Sequence, residues 1–462
     1  MKYPAYDAYR PSPFSWMDRV PQHWDAAALR WLSNRYAGGT PDKGNDAYWE
    51  DGTIPWLNSG AVNDGYITAP SELITPEGFA NSSAKWIPKG ALVMALAGQG
   101  KTKGMVAQLG IATTCNQSMA AIIPTPRLDS RYLYWWLTAN YQNIRNLAGG
   151  EARDGLNLDL LGSIPCPIPP LAEQQAIARF LDAKTVQIDG LVAQKRQLIY
   201  KLKERRQALI ARTVTRGLPP EAAKAAGLEP SPETKDAGVE WLDRLLTHWQ
   251  ILPMTKYLSE ISDYRGKTPE KTDEGLFLVT ARNVRMGFID YQCSQEFVAV
   301  DEYDEIMRRG LPKVGDILFT TEAPLGNVAL VDREDIALAQ RIIRFRMRKN
   351  HFQSRFALYA MLADYFQSQL KSLSTGSTAE GLKASKLSVL RLIAPPIREQ
   401  HAIAAFLDAE CDQIDGLIDT TTSATDKLQE YRQSLITAAV SGQIAVQCCE
   451  LKPDHPLKAK RG

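Results

Sequence analysis

The chain has 462 residues and a mass of 51.3 kDa, a length that at roughly 100–200 residues per domain allows two to four domains. Its apolar share of 44% and charged share of 23% are those of a soluble globular protein and exclude global disorder. Lys and Arg number 54 against 52 Asp and Glu. The net charge of +2 excludes a uniformly basic nucleic-acid coat but permits a DNA-binding protein with segregated charge.

The opening residues, MKYPAYDAYRPSPFSW, carry no apolar run of the signal-peptide kind. The longest apolar stretch, GALVMALAG around Ala91, falls far short of the ~20 residues of a membrane span. The cysteines are Cys115, Cys166, Cys293, Cys411, Cys448 and Cys449; none forms a C-x-x-C pair or a zinc-spaced cluster with histidine. A reducing, cytoplasmic protein without disulfides or a structural metal is expected.

The chain then repeats itself. PPLAEQQAIARFLDAKTVQIDGL from Pro169 faces PPIREQHAIAAFLDAECDQIDGL from Pro395, with 16 of 23 positions identical. The offset of 226 residues holds without a gap to Val214 and Val440. Upstream, Trp16–Trp24 (WMDRVPQHW) faces Trp241–Trp249 (WLDRLLTHW). Between these anchors a sparse skeleton survives. Gly39-Thr40-Pro41 faces Lys267-Thr268-Pro269, and Val62, Gly65 and Ile67 face Val284, Gly287 and Ile289. Gln117 faces Gln340, and Gly155-Leu156 faces Gly381-Leu382. Each copy is a variable globular part followed by a shared helical part.

The globular parts predict short strands between turn residues, such as 91–96, 316–320, 328–331 and 342–347. RYLYWWLTANYQNIRNL and SRFALYAMLADYFQSQL each predict one amphipathic helix. The shared parts predict long helices opened by a Pro-Pro pair. In the first, Ile177, Leu181, Ile188, Leu191, Leu198, Leu202 and Leu209 have heptad spacing; in the second, Ile403, Leu407, Ile414, Leu417, Ala424, Leu428 and Leu435 repeat it. Gly190 and Gly416 allow a bend in each helix. From Leu171 to Arg216 the net charge is +6, and from Ile397 to Val440 it is −5. Opposite charge and two apolar seams predict that the helices pair with each other, antiparallel, about a pseudo-two-fold axis.

The expected fold class is α+β: two mixed α/β domains joined by two long antiparallel coiled-coil helices. The boundaries read 1–168 and 241–394 for the globular domains, 169–216 and 395–440 for the helices, 217–240 for a Pro-rich linker and 441–462 for a tail.

With its Trp-x-Asp-Arg…His-Trp openings and its Pro-Pro-(Leu/Ile)-x-Glu-Gln-x-x-Ile-Ala…Phe-Leu-Asp…Gln-Ile-Asp-Gly-Leu helices, the chain resembles the specificity subunits of type I DNA restriction-modification enzymes. The resemblance covers nearly the whole chain, in duplicate. It implies two target recognition domains, each reading one part of a split double-stranded DNA sequence, and helices that act as a spacer and dock methyltransferase subunits, two in number. Through these it implies motor-nuclease restriction subunits. It places S-adenosylmethionine, ATP and magnesium on the partners and no cofactor on this chain. Because the two domains differ strongly, an asymmetric target is expected.

Base edges favour Arg, Lys, Asn and Gln, while phosphates take Lys, Arg, Ser, Thr and backbone amides. On that chemistry the candidates in the first domain are Gly38, Gly39, Thr40, Lys43, Asn58, Ser59, Gln99, Lys101, Lys103, Asn116, Gln117, Arg153 and Asn157. In the second they are Arg265, Lys267, Thr268, Thr280, Arg282, Asn283, Arg285, Gln340, Arg341, Lys383 and Lys386. His23 and His248, each between a polar residue and Trp, are expected to pack or cap.

ALAGQGKT, ending in Gly100-Lys101-Thr102, fits a relaxed phosphate-loop pattern, but such a loop needs a helix to follow, and KGMVAQLGIATT reads as strand. Glu233-Thr234-Lys235 faintly resembles a nuclease motif but lies in the linker. A non-catalytic chain is expected. The rival readings are a coiled-coil scaffold that binds only proteins and a nucleotide-binding enzyme.

Overall fold

The computed structural model describes residues 3–98, 100–148, 155–264, 269–374, 381–382 and 384–446. The chain divides into two compact units, Met1–Lys195 with Ser423–Gly462, and Arg196–Thr422. Each unit thus owns one globular domain, the first half of the long helix that follows it, and the last half of the other.

The repeat extends to topology. In the first unit a five-stranded sheet runs in the order Ser33–Ala37, Met119–Pro124, Leu92–Ala95, Val106–Leu109, Tyr66–Ile67. In the second a four-stranded sheet runs Leu258–Asp263, Ile342–Met347, Ile317–Thr321, Leu325–Leu330. Their central strands are buried along their length, as expected for runs such as Leu-Val-Met-Ala and Ile-Leu-Phe-Thr-Thr. Each unit adds a three-stranded sheet built round a parallel pair: Ile54–Leu57 beside Thr114–Cys115, and Leu276–Val279 beside Ile336–Leu338.

The predicted single helix is two helices in both copies. Ser130–Ala139 breaks at Asn140 before Tyr141–Asn146, and Ser354–Leu362 breaks at Ala363 before Asp364–Leu373. Asn140 caps the first break by donating its side-chain amide to the Trp136 carbonyl at 2.9 Å. Ala363 adopts extended backbone at the second. The 217–240 segment is more than a linker: it holds a short helix, Pro220–Ala225, and a strand, Thr234–Val239, paired with Leu242–Leu246. Lys235, in the nuclease-like tripeptide, donates to the Thr247 and Trp249 carbonyls at 2.7 and 3.1 Å, a purely local tie.

The long helices span Leu171–Arg216 and Ile397–Val440 and run through Gly190 and Gly416 without interruption. Their shared motif is a latch that fixes each globular domain to its helix. Glu173, in the first turn, receives the Trp24 indole N–H at 3.1 Å and sits 2.9 Å from His23 Nε2. Glu399 receives Trp249 at 2.8 Å and sits 2.7 Å from His248. A carboxylate at a helix N-terminus also suits the positive end of the helix dipole. The neighbouring Gln174 donates to the Pro169 and Arg127 carbonyls and accepts the Asp129 N–H, and Gln400 does the same with Pro395, His351 and Gln353. Asp129 and Gln353 cap the Ser130–Ala139 and Ser354–Leu362 helices. About two turns further along the motif, Asp182 holds Arg131 and Trp135, and Asp408 holds Arg355 and Tyr359. Each histidine is thus a half-exposed polar partner in this latch.

Within each unit the helix segments are antiparallel. In the first, Ile177, Phe180 and Leu181 share a core with Leu435, Ile436 and Ala439, and Asp189 pairs with Arg432 at 2.8 Å. In the second, Ile210 and Val214 share a core with Ile403, Leu407 and Cys411, and Arg206 pairs with Asp415 at 3.0 Å. Adding 226 to Asp189 and Arg206 gives Asp415 and Arg432, so the two ion pairs are one pair repeated.

The seam differs from the heptad reading at three positions. Leu191, Leu198 and Leu417 are exposed, at 48%, 47% and 56%. Val192 is buried in place of Leu191, and Thr421 and Thr425 are buried on the second helix. The cause is phase: the 4-3-4-3 row through Ile188, Val192, Lys195, Ile199 and Leu202 turns inward, and its neighbouring leucines face out.

The second unit also buries charge. Arg344, fully buried, meets Asp316 at 2.8 Å, Glu260 at 3.0 Å, Ser262 at 2.6 Å and Tyr264 at 3.3 Å. Arg346 reaches the same two carboxylates, at 2.8 and 2.6 Å. Burial pushes Asp316 upward, but hydrogen bonds from Arg346, the Lys313 N–H and Arg344 outweigh it and hold the carboxyl below its ordinary value. Glu260 is held low first by the Arg344 hydrogen bond. The network ties the strands 258–263, 317–321 and 342–347 together.

Candidate nucleic-acid interface

The parallel strand pairs position the polar candidates. In the second domain Val279 lies beside Leu338, so the segments that follow, Thr280–Arg282 and Ala339–Arg341, leave the sheet side by side. Thr280, Arg282, Gln340 and Arg341 line one open concavity of about 270 Å³, with Lys271 and Glu296 on its wall. Lys271, absent from the predicted set, pairs with Glu296 at 2.9 Å, and Arg341 pairs with Glu322 at 3.0 Å. Lysine in the run Glu-Lys-Thr-Asp-Glu gave no sign of this position; only the sheet brings it there.

The first domain uses the same frame with different side chains. Leu57 lies beside Cys115, and Asn58 and Asn116–Gln117 follow the paired strands. Asn116 N–H bonds the Leu57 carbonyl at 2.9 Å, and the Thr40 hydroxyl donates to Gln117. Exposed Lys43 lies 5.4 and 5.6 Å from the ring centroids of Trp49 and Trp56. Trp49, partly buried, and Trp56, fully buried, meet edge to face at 5.1 Å and form a packed aromatic floor beneath Lys43. Ser59 is half-buried beside Asn58.

Other candidates have structural work. Gly38 and Gly39 are buried, and a Cβ on either would lie 2.1 Å from the Cys115 carbonyl oxygen or 2.4 Å from the Ala84 nitrogen. Their glycine identity answers to close packing. Asn58 and Asn157 cap the turns that follow them, accepting from Gly60 and Leu160. Asn283 is fully buried and bonds Thr280, Asp290 and Ser294. Lys103 is buried, while Lys101 is exposed on a different opening, a cavity of about 570 Å³ lined also by Tyr134, Tyr141 and Gln433. Arg285 is exposed and lies 3.5 Å from Asp290; Lys386 is exposed in a short 3-10 turn. Gln99, Arg153, Arg265, Lys267, Thr268 and Lys383 lie outside the described residues.

After Lys101 and Thr102 the chain enters the strand Val106–Leu109 and so offers no helix amides to a phosphate. Burial pushes the Cys115 thiol up to about 12 and raises Cys166 and Cys411 as well, which makes all three poor nucleophiles. Among the described residues no His/Cys/Asp/Glu group is arranged to hold a metal, and no helix is long and apolar enough to cross a membrane.

The family described as the type I restriction modification DNA specificity domain matches residues 22–200 and 258–424, once per repeat. The chain belongs to this family. Its relatives in the family include the EcoKI specificity subunit of Escherichia coli, 21% identical over 94% of this chain and 92% of that one. The MjaVIII specificity subunit of Methanocaldococcus jannaschii is 21% identical over 93% and 95%. Among solved structures, one from a study of complex assembly and conformational transition of the type I R-M system aligns with a TM-score of 0.67 at 16% identity, covering 92% of this chain and 99% of that one. The HsdS subunit from Thermoanaerobacter tengcongensis aligns at 0.50 and 15% identity, covering 94% and 99%. These likenesses extend to the fold: two mixed domains joined by long helices.

Proposed function

We propose that the chain is the DNA-reading specificity subunit of a type I restriction-modification complex, with two domains that read two unlike halves of one target. The observation that carries this reading is the pair of strand-end surfaces. One backbone frame, repeated, presents Thr40, Lys43 and Gln117 in the first domain and Thr280, Arg282, Gln340 and Arg341 in the second. A shared frame with different polar side chains suits two readers of different sequence.

The chain does no chemistry in this reading. Methyl transfer with S-adenosylmethionine falls to methyltransferase subunits, two per chain, and ATP and magnesium to restriction subunits that join through them. The exposed apolar residues of the long helices, Val186, Leu191 and Tyr431 in the first unit and Leu198, Tyr200 and Leu417 in the second, offer docking contacts for the methyltransferases. The domains carry net charges of only −1 (15–168) and +2 (241–394). DNA attraction therefore depends on local placement of cations and on the partners.

The test is exchange of residues 241–394 for the corresponding domain of another family member, with the assembled complex binding labelled duplexes at rising salt. Binding is expected to fall steeply with salt, by about a thousandfold or more between 50 and 200 mM for six or more phosphate contacts. Exchange is expected to alter one half of the recognised sequence. A chain that bound no DNA would be the protein-only scaffold, and an exchange that altered both halves would contradict two independent readers.

A further inference from the structure

Arg341 stands in an unusual backbone. Its φ is +75°, in the left-handed region that a side chain with a Cβ adopts at a cost. Surrounding contacts hold it there: the Arg341 carbonyl accepts the Thr321 N–H at 3.0 Å and the Thr321 hydroxyl at 3.3 Å. The repeat supplies an internal comparison. By the offset that matches Gln117 to Gln340, Arg341 faces Ser118, whose carbonyl accepts the Leu96 N–H at 2.8 Å in the same frame. Among the described residues the left-handed non-glycine positions are Asp51, Ala323 and Arg341, and Ser118 is not one of them. The frame itself therefore does not call for arginine, and glycine would meet the backbone conformation more easily.

What arginine adds is its guanidinium. It lies on the wall of the concavity shared with Lys271, Thr280, Arg282 and Gln340. Its ion pair with Glu322, 3.0 Å long, has both members about half exposed, at 49% and 43%. A pair so wet contributes little to stability and exchanges readily for another acceptor, yet it holds the planar donor group in one orientation. The matching acceptor is a guanine edge, whose O6 and N7 take two parallel N–H donors in the major groove.

We infer that Arg341 is a specificity-determining residue that reads a guanine in the half of the target assigned to the second domain, with Glu322 as its positioning residue. The inference rests on the DNA-reading function proposed above. A merely structural arginine would serve the Glu322 pair and be missed by the fold when removed. A reading arginine would be missed by the DNA while the fold gains from relief of the left-handed backbone.

Arg341→Gly separates these. Modified-base sequencing of a host carrying the full chain with its methyltransferase partners gives the target for wild type and variant, and thermal unfolding of the purified chain gives stability. The expected result is a G·C pair in the wild-type motif that becomes degenerate in the variant. Discrimination there should fall by about 5- to 150-fold, the value of one bidentate base contact. Every position of the other half should stay unchanged, with a melting temperature equal to or above wild type. An unchanged motif, a lost position that is A·T, changes in both halves or a lowered melting temperature would each overturn the inference. If the variant modifies no site at all, binding of the purified chain to four duplexes differing at that pair decides: equal affinity supports the inference and a retained preference for guanine overturns it. Glu322→Gln is expected to keep the guanine while weakening overall binding a few-fold, and loss of the guanine only in that variant would overturn the roles. A wild-type chain that yields no bipartite motif refutes the DNA-reading function itself, a result distinct from all of these.

Discussion

The Asp316→Ala variant is expected to lose about 3–5 kcal/mol of stability in the second unit, the usual cost of removing one partner from a buried ion pair. Asp316 is 2% exposed and accepts from both Arg344 and Arg346; without it Arg344, with no exposed surface, keeps only Glu260, Ser262 and Tyr264. Hydrogen exchange followed by mass spectrometry checks this, with faster exchange expected in the strands 258–263, 317–321 and 342–347 and none of it in the first unit's five-stranded sheet. The first domain has Ala91 and Ala121 near the corresponding positions and no such network, so the effect is specific to one domain. The sign of the pH dependence follows from the lowered carboxyls. Their contribution is fully present above their ordinary values of 3.8 for Asp316 and 4.5 for Glu260 and fades as pH falls through the lowered ones. Acid unfolding of the second unit below about pH 4 should accordingly be shallower in the variant. Equal acid slopes in variant and wild type would show that the network carries no linkage.

The second large effect concerns the seam. Leu407 is fully buried and Leu417 is 56% exposed, although both fall on the same heptad row. Leu407→Asp places an unpaired charge in the core shared with Ile210 and Val214 and is expected to cost more than about 4 kcal/mol, enough to abolish cooperative unfolding of the second unit. Leu417→Asp is expected to shift stability by no more than about 0.5 kcal/mol. Urea titration of the two variants distinguishes them. Equal losses would restore the simple heptad seam and remove Leu417 from the exposed face.

The long-range plan of the molecule was legible because repetition exposes it. The 226-residue offset revealed the helices, and the identical Glu, Gln and Asp of the shared motif proved to be the residues that latch helix to domain. Their side-chain partners, His23, Trp24, Arg131 and their counterparts, are far away in sequence, so pattern alone could say that the positions matter but not what they hold. Local phase was less legible. Leu191 and Val192 are both apolar, and only the actual winding of the helix decides which turns inward. The breaks at Asn140 and Ala363 lie within continuous amphipathic runs and depend on capping and tertiary packing. At the candidate interface, residue type pointed to Thr280, Arg282, Gln340 and Arg341, which the sheet brings together. It also selected Gly38, Gly39 and Asn283, because a polar loop and a buried turn share composition. Lys271 was missed because its approach to the strand ends is set by three-dimensional folding.

Whether two unlike DNA readers share a repeated frame is decided by modified-base sequencing of a host with and without this gene. The expected result is one motif present only with the gene, made of two different half-sequences separated by a fixed run of unspecified bases. A single continuous motif, a palindromic one, or no change in modification would contradict it.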